Sequence, residues 1–152
     1  MPYAYGLMTM YGITAQLGIS STGEGAEKVW TYAPFGEGIE NFSEALNEVV
    51  QQYFFMADGG FAKNHVTGMA PTFTCTGRRI FGDAAQDYIF SKKYGLDAER
   101  QSSFQITYND GTNDVTITCD CTIANMQEFS GATTEDSAIS FELRFDGTPV
   151  VE

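Results

Sequence analysis

A chain of 152 residues, 43% hydrophobic and 14% aromatic, is long enough to bury a real core and reads as one domain over residues 1–152. Its 20 acids against 8 bases give a formal charge of −12, which works against holding a nucleic-acid backbone, because that needs clustered Lys and Arg. No run approaches the roughly 20 apolar residues of a membrane-spanning helix, and no basic n-region with an apolar stretch marks a signal peptide.

The acids are not spread evenly. Residues 1–62 hold seven acids and one base, Lys28, and residues 101–152 hold nine acids and one base, Arg144. The six remaining bases lie with four acids in residues 63–100.

In chain order, Tyr5 to Ile13 is aromatic and Met-rich and fits a strand. Gly18 to Ala26, rich in Gly, Ser and Thr, fits a loop. Lys28 to Ala33, around Trp30, is a second strand, ended by Pro34-Phe35-Gly36-Glu37-Gly38. The stretch from Ile39 to Met56 is ambiguous. Ile39, Phe42, Leu46, Val49, Val50 and Tyr53 fall on one helical face, yet Val49, Val50, Tyr53, Phe54 and Phe55 are β-branched or aromatic. Asn47 to Met56 is taken as a strand that returns through Gly59-Gly60 to Phe61–Gly68. Pro71 argues against a central sheet position at that point, and Phe73 to Ile80 continues as strand. One helix follows. Asp83 is a good N-cap with Gln86 three residues on, as in a capping box. Ala85, Tyr88 and Ile89 form its apolar stripe, Lys92 and Lys93 are expected in its last turn, and Gly95 beyond its end.

The clearest pattern is period-two alternation in the second half. Phe104, Ile106 and Tyr108 alternate with Ser103, Gln105 and Thr107, and Asn109-Asp110-Gly111 turns the chain. Val115, Ile117, Cys119, Cys121 and Ile123 then alternate with Asp114, Thr116, Thr118, Asp120 and Thr122. After a polar loop at Gly131 to Asp136, Ile139, Phe141, Leu143 and Phe145 alternate with Ser140, Glu142 and Arg144, and Gly147-Thr148-Pro149 closes the strand. Such alternation marks an antiparallel sheet with one face buried and one wet. The expected architecture is mainly β (α+β), an antiparallel two-sheet sandwich or barrel with one flanking α-helix.

Reactive groups are sparse. Cys119 and Cys121 point the same way on one strand, too far apart for a good disulfide. With Cys75 they read as reduced thiols packed as small apolar groups. His65, the sole histidine, has no Ser or Cys at a catalytic spacing. The pairs Glu37/Glu40 and Glu44/Glu48 are what 20 acids produce by chance. Asp110 to Asp114 is too short for a calcium loop and lacks its distal Glu. The Gly-Glu-Gly runs at Gly23 and Gly36 are not phosphate loops, and Asn41-Phe42-Ser43 is a chance glycosylation match. Arg78-Arg79 is a small basic spot expected to pair with acids. No catalytic residue, cofactor or metal site is expected.

Three stretches resemble the major tail (tail tube) proteins of long-tailed phages of Gram-positive bacteria. They are Asn47 to Gly60 with Val66-Thr67-Gly68, Phe73 to Ile89, and Ser137 to Pro149. The match spans roughly residues 46–149 and leaves residues 1–45 as an N-terminal arm and loops. The resemblance implies a fold of two antiparallel sheets closing into a barrel-like sandwich with a flanking helix. It implies hexameric rings stacked into a hollow tube that guides DNA from capsid to host, in a virion tail made in the bacterial cytoplasm. Partners would be further copies, the tape measure, tail tip and terminator proteins. DNA would pass without specific binding, and no membrane is involved. Tubes of phage-derived injection devices are near neighbours. Within that frame the wet face of Asp114, Thr116, Thr118, Asp120 and Thr122 is the candidate lumen, where acids would repel phosphate. The competing reading is a monomeric β-sandwich binding module, for carbohydrate for example, with Trp30 and exposed Tyr residues as stacking platforms.

Overall fold

Wherever period-two alternation occurs, the chain is strand. The structure, a computed structural model, describes residues 6–152 apart from the side chain of Ala26. Ten strands and one α-helix follow in order: β1 (Thr14–Thr22), β2 (Val29–Phe35), β3 (Ile39–Ala45), β4 (Val49–Phe54), β5 (Ala62–Gly68), β6 (Thr72–Arg78), α1 (Ala84–Ser91), β7 (Gln101–Asn109), β8 (Asp114–Gln127), β9 (Ala138–Phe145) and β10 (Val150–Val151).

The main sheet runs β2-β1-β7-β8-β9-β6-β3, with β10 also on β8, and every pairing is antiparallel. Fourteen residues long, β8 pairs β7 from Asp114 to Thr122. On its other edge it pairs β10 at Ile117 and Thr118 and β9 from Cys121 onward. β4 and β5 form a separate two-stranded sheet.

The inner faces of the main sheet meet around phenylalanines. Phe35 of β2 lies edge-on to Phe104 of β7 at 5.2 Å and to Phe141 of β9 at 5.9 Å, while Phe42 of β3 stacks on Phe73 at 4.8 Å. Leu17, Cys75, Cys121, Ile123, Ile139 and Leu143 fill the rest of the core. These contacts bring the two ends of the strand path, β2 and β3, to one core, so the sheet rolls up. β2 and β3 do not hydrogen-bond to each other, and the barrel stays open along that seam. The architecture is mainly β, with two antiparallel sheets and one flanking helix, but not a closed barrel.

On α1, Asp83 is the N-cap and its carboxylate accepts the backbone N–H of Gln86 at 3.1 Å. Ala85 and Ile89 are fully buried, Phe90 nearly so, and the half-buried Tyr88 donates its hydroxyl to Gln101 O at 3.0 Å. Two features depart from the expectation. The Gln86 side chain does not reach back to the cap; it is buried and tied to Glu37 O, Arg78 O and Ile80 N. The helix also stops at Ser91, so Lys92 is the C-cap and Lys93 and Gly95 lie beyond it.

Other expectations need correcting. Gly18 to Thr22 is strand, not loop, because Ser20, Ser21 and Thr22 pair with Thr31, Trp30 and Val29 after a bulge. Of the strand expected over Tyr5–Ile13, Tyr5 lies outside the described residues, and Met10–Gly12 is a single 3₁₀ turn. The ambiguous Ile39–Ala45 is strand and pairs β6 along its length, from Ile39 opposite Gly77 to Ala45 opposite Thr72. Gly77 is required there, since a Cβ would collide with the carbonyl oxygen of Gly38. Beyond Pro149 the chain makes the further strand β10. Pro71 stands just before β6, outside the ladder, where a missing N–H does no harm.

Candidate functional site

The notable features of this fold are surfaces. The first is the wet face of β8. Asp114 and Asp120 are exposed, and Thr116, Thr118 and Thr122 are half-buried. Thr116 Oγ1 shares a hydrogen bond with Thr107 at 3.1 Å, and Thr118 Oγ1 accepts from Gln105 Nε2 at 3.2 Å. Asp114 accepts from Asn109 at 2.9 Å, and Thr122 donates to Asp146 at 2.6 Å. Strand register extends the face to β1, with Gln16 opposite Gln105 and Thr14 opposite Thr107. Neither β1, β7 nor β8 contains a Lys or Arg. The result is a three-stranded polar ribbon whose own charges are negative, with Arg144 of β9 opposite Thr122 at its margin. The β1 part was not legible in the sequence, because its alternation breaks at Gly18.

The second surface is the β4–β5 hairpin. Two-stranded hairpins are marginal alone in water, and this one pairs with no strand of the main sheet. Every residue of β4 is exposed. Met56 at the tip is 100% exposed and Phe61 79%, with Tyr53, Phe54 and Phe55 each roughly half to two-thirds exposed. Tyr53 and Phe55 stack on each other at 5.7 Å. The base is firmly set. Asn47, with φ 49°, donates its side chain to Ala70 O at 2.9 Å, and Ala70 N donates to Leu46 O at 2.9 Å. Between 47 and 69 the charged residues are Glu48, Asp58 and Lys63, of which the last two pair at 3.4 Å. The strongly acidic chain thus projects a nearly neutral, aromatic arm.

The third surface is a groove of about 590 Å³ along the open seam, lined by Met10, Tyr11, Ile13, Ala15, Phe35, Ile39 and Phe42 among others. Its walls come from the turn before β1, from β1, from the end of β2 and from the start of β3.

Several of the remaining sequence candidates make structural contacts. Arg79 donates Nε to Glu128 at 2.8 Å and meets Asp87 at 3.1 Å, and Lys93 meets Glu128 at 2.5 Å. Burial alone would raise the Glu128 carboxyl, but hydrogen bonds from Lys93 and Arg79 outweigh it and hold the group below its ordinary value. Arg78 pairs with Glu40 at 3.5 Å. Asp110 turns its carboxylate onto the backbone N–H groups of Asn113 and Thr112, which lowers its pKa and makes the segment a turn. Trp30 lies over Gly18, where a Cβ would come within 2.7 Å of the ring, and Lys28 Nζ stands 4.7 Å from its centroid. Cys75, Cys119 and Cys121 are free and buried, and burial pushes each thiol up. His65 is exposed on β5. Among the described residues no group of three or more His, Cys, Asp or Glu could hold a metal ion, and no helix is long and apolar enough to cross a membrane.

No protein-family model matches the chain, and no curated protein matches it. Among solved structures, it is similar to a chain from the tail of an empty GTA particle, determined by helical refinement with C6 symmetry. The TM-score is 0.63 at 10% identity, over 96% of this chain and 99% of the other. At that identity the likeness is one of fold, and it runs essentially end to end.

Proposed function

We propose that this chain is a tail tube subunit of the kind found in long-tailed phages of Gram-positive bacteria. Six copies form a ring, and rings stack into a hollow tube that conducts DNA from capsid to host. The observation that carries the reading is the end-to-end likeness of fold to a chain of a C6-symmetric tail. The exposed aromatic hairpin adds to it, since an apolar arm on an acidic chain needs a partner.

In the ring, the polar ribbon of Asp114, Thr116, Thr118, Asp120 and Thr122, widened by Gln16 and Gln105, faces the lumen. Small hydrogen-bonded side chains leave the channel wide and hydrated. Its carboxylates repel phosphate, so DNA slides without settling. The protein's place is the virion tail after synthesis in the host cytoplasm, beside the tape measure, tail tip and terminator proteins. Purified protein should form rings or tubes by negative stain, with scattering mass rising with concentration. A particle that stays at 16.7 kDa at every concentration, alone and with its tail-tip partner, overturns the reading.

A further inference from the structure

The two apolar surfaces sit at opposite ends of one strand. β3 begins at Ile39, in the wall of the groove, and ends at Ala45, from which the hairpin departs. The groove takes in β3 as far as Phe42, three residues or roughly 10 Å short of Ala45. The hairpin base is fixed by the Asn47 and Leu46 hydrogen bonds to Ala70, and neither hairpin strand pairs with the main sheet. The arm therefore projects from the main sheet, and none of its described residues lines the groove.

We propose that the groove is filled by the hairpin tip of a second copy of this chain, head to tail. The proposal rests on the tube reading above and specifies its subunit contact. Three observations choose this occupant. A ring of more than two copies needs two different, complementary patches on each subunit, one given and one received, whereas a patch that meets itself stops at a dimer. The chain has such a pair: a projecting arm with Phe54, Phe55, Met56 and Phe61, and a concave seam with Ile13, Phe35, Ile39 and Phe42. Charge points the same way. Two chains of −12 repel, but the arm carries two acids and one lysine, so it can approach an acidic neighbour at little electrostatic cost. The arm's exposed large side chains leave on the order of 500 Å² of apolar surface, the scale at which a patch marks an interaction site.

The test is thiol crosslinking within assembled protein. The native cysteines are buried, so new ones report cleanly. Met56→Cys places a thiol at the tip and Asn41→Cys one in the groove wall. The double variant, treated with a short flexible bis-maleimide, should give a ladder of covalent multimers ending at ring size. Each single variant should stay monomeric on a denaturing gel. Rings or tubes without that ladder overturn the inference and leave the tube reading standing. So does a ladder from Met56→Cys with Tyr94→Cys, an exposed site beyond the helix. Covalent dimers from Met56→Cys alone mean that tip meets tip, which also overturns it. Failure of the unaltered protein to assemble removes both readings together. Should the double variant not assemble, mixing the two single variants puts the same pair across a contact between copies. Assembled mixtures without a crosslinked dimer again overturn the inference.

Discussion

The guanidinium of Arg79 and the carboxylate of Glu128 meet at 2.8 Å with their side chains only 7% and 10% exposed. Arg79 is at the end of β6, and Glu128 begins the loop that leads into β9. Lys93, just past α1, closes on the same carboxylate, while the Arg79 guanidinium lies 4.4 Å from the ring centre of Phe81 and 5.1 Å from that of Phe90. One carboxylate thus ties the segment after the helix to the C-terminal ends of β6 and β8. Removing it takes the carboxylate from Lys93 and leaves Arg79 with Asp87 as its remaining carboxylate partner.

Glu128→Ala should therefore destabilise the fold by about 1.5–3 kcal/mol, the range for hydrogen bonds to charged groups. Because the folded-state pKa of Glu128 is depressed, its contribution is fully present above the unfolded value near 4.3. It is lost as pH falls through the lower folded value. Urea melts of the unaltered protein and Glu128→Gln between pH 7 and pH 3 check this. The gap between the two should narrow as pH falls below about 4.3.

Ile89 is fully buried beneath the helix. Ile89→Ala should cost roughly 2–5 kcal/mol, and Asp83→Ala, which removes the cap, nearer 0.5–2 kcal/mol. Thermal unfolding ranks them. An unchanged melting temperature for Ile89→Ala would contradict the burial of that face.

Gln86 is a stricter test of the polar interior. Its amide satisfies Ile80 N, Glu37 O and Arg78 O at 2.8–3.0 Å. Gln86→Leu keeps the volume but strands those groups, so a loss of roughly 2 kcal/mol or more is expected. Equilibrium denaturation measures it, and a neutral result would mean that water replaces the amide.

Asp120→Lys probes the proposed lumen. If the ribbon faces the channel, rings still assemble but DNA release slows, and the slowing weakens as salt screens the new charge. Ejection kinetics at two salt concentrations, with electron microscopy of the tails, read both effects. Blocked assembly would place the face against a neighbour, and wild-type behaviour in both would place it outside.

The strands β7, β8 and β9 were readable in the sequence because their alternation is unbroken and each has one buried face. The helix was readable from Asp83 and its stripe. β1 was not, since Gly18-Ile-Ser-Ser-Thr22 has loop composition. The strand there is dictated by pairing with β2 and by Trp30 lying over Gly18, which leaves no room for a side chain. β3 hid behind a helical spacing of Ile39, Phe42 and Leu46. Cross-strand pairing with β6 overrode it, aligning Phe42 with Cys75 and stacking its ring on Phe73. The wet face of β8 was visible residue by residue, whereas its extension onto Gln16 needed strand register. The groove could not be read at all, because its walls come from segments that meet only when the sheet rolls.

The open seam also determines how this protein must be handled by the cell that makes it. Among the described residues β2 and β3 each have one edge with no strand on it, and an unpaired edge can accept an extended chain that reaches it. Pro34 removes one donor from the β2 edge, but no proline guards β3. A formal charge of −12 makes copies of the chain repel, and that repulsion reaches only about 10 Å at 0.1 M salt. If the chain assembles as proposed, ionic strength then acts as a throttle on polymer growth. Dilute buffer should preserve a reservoir of single subunits, and concentrated salt should release it into filaments or, if nucleation lags, into disordered aggregate.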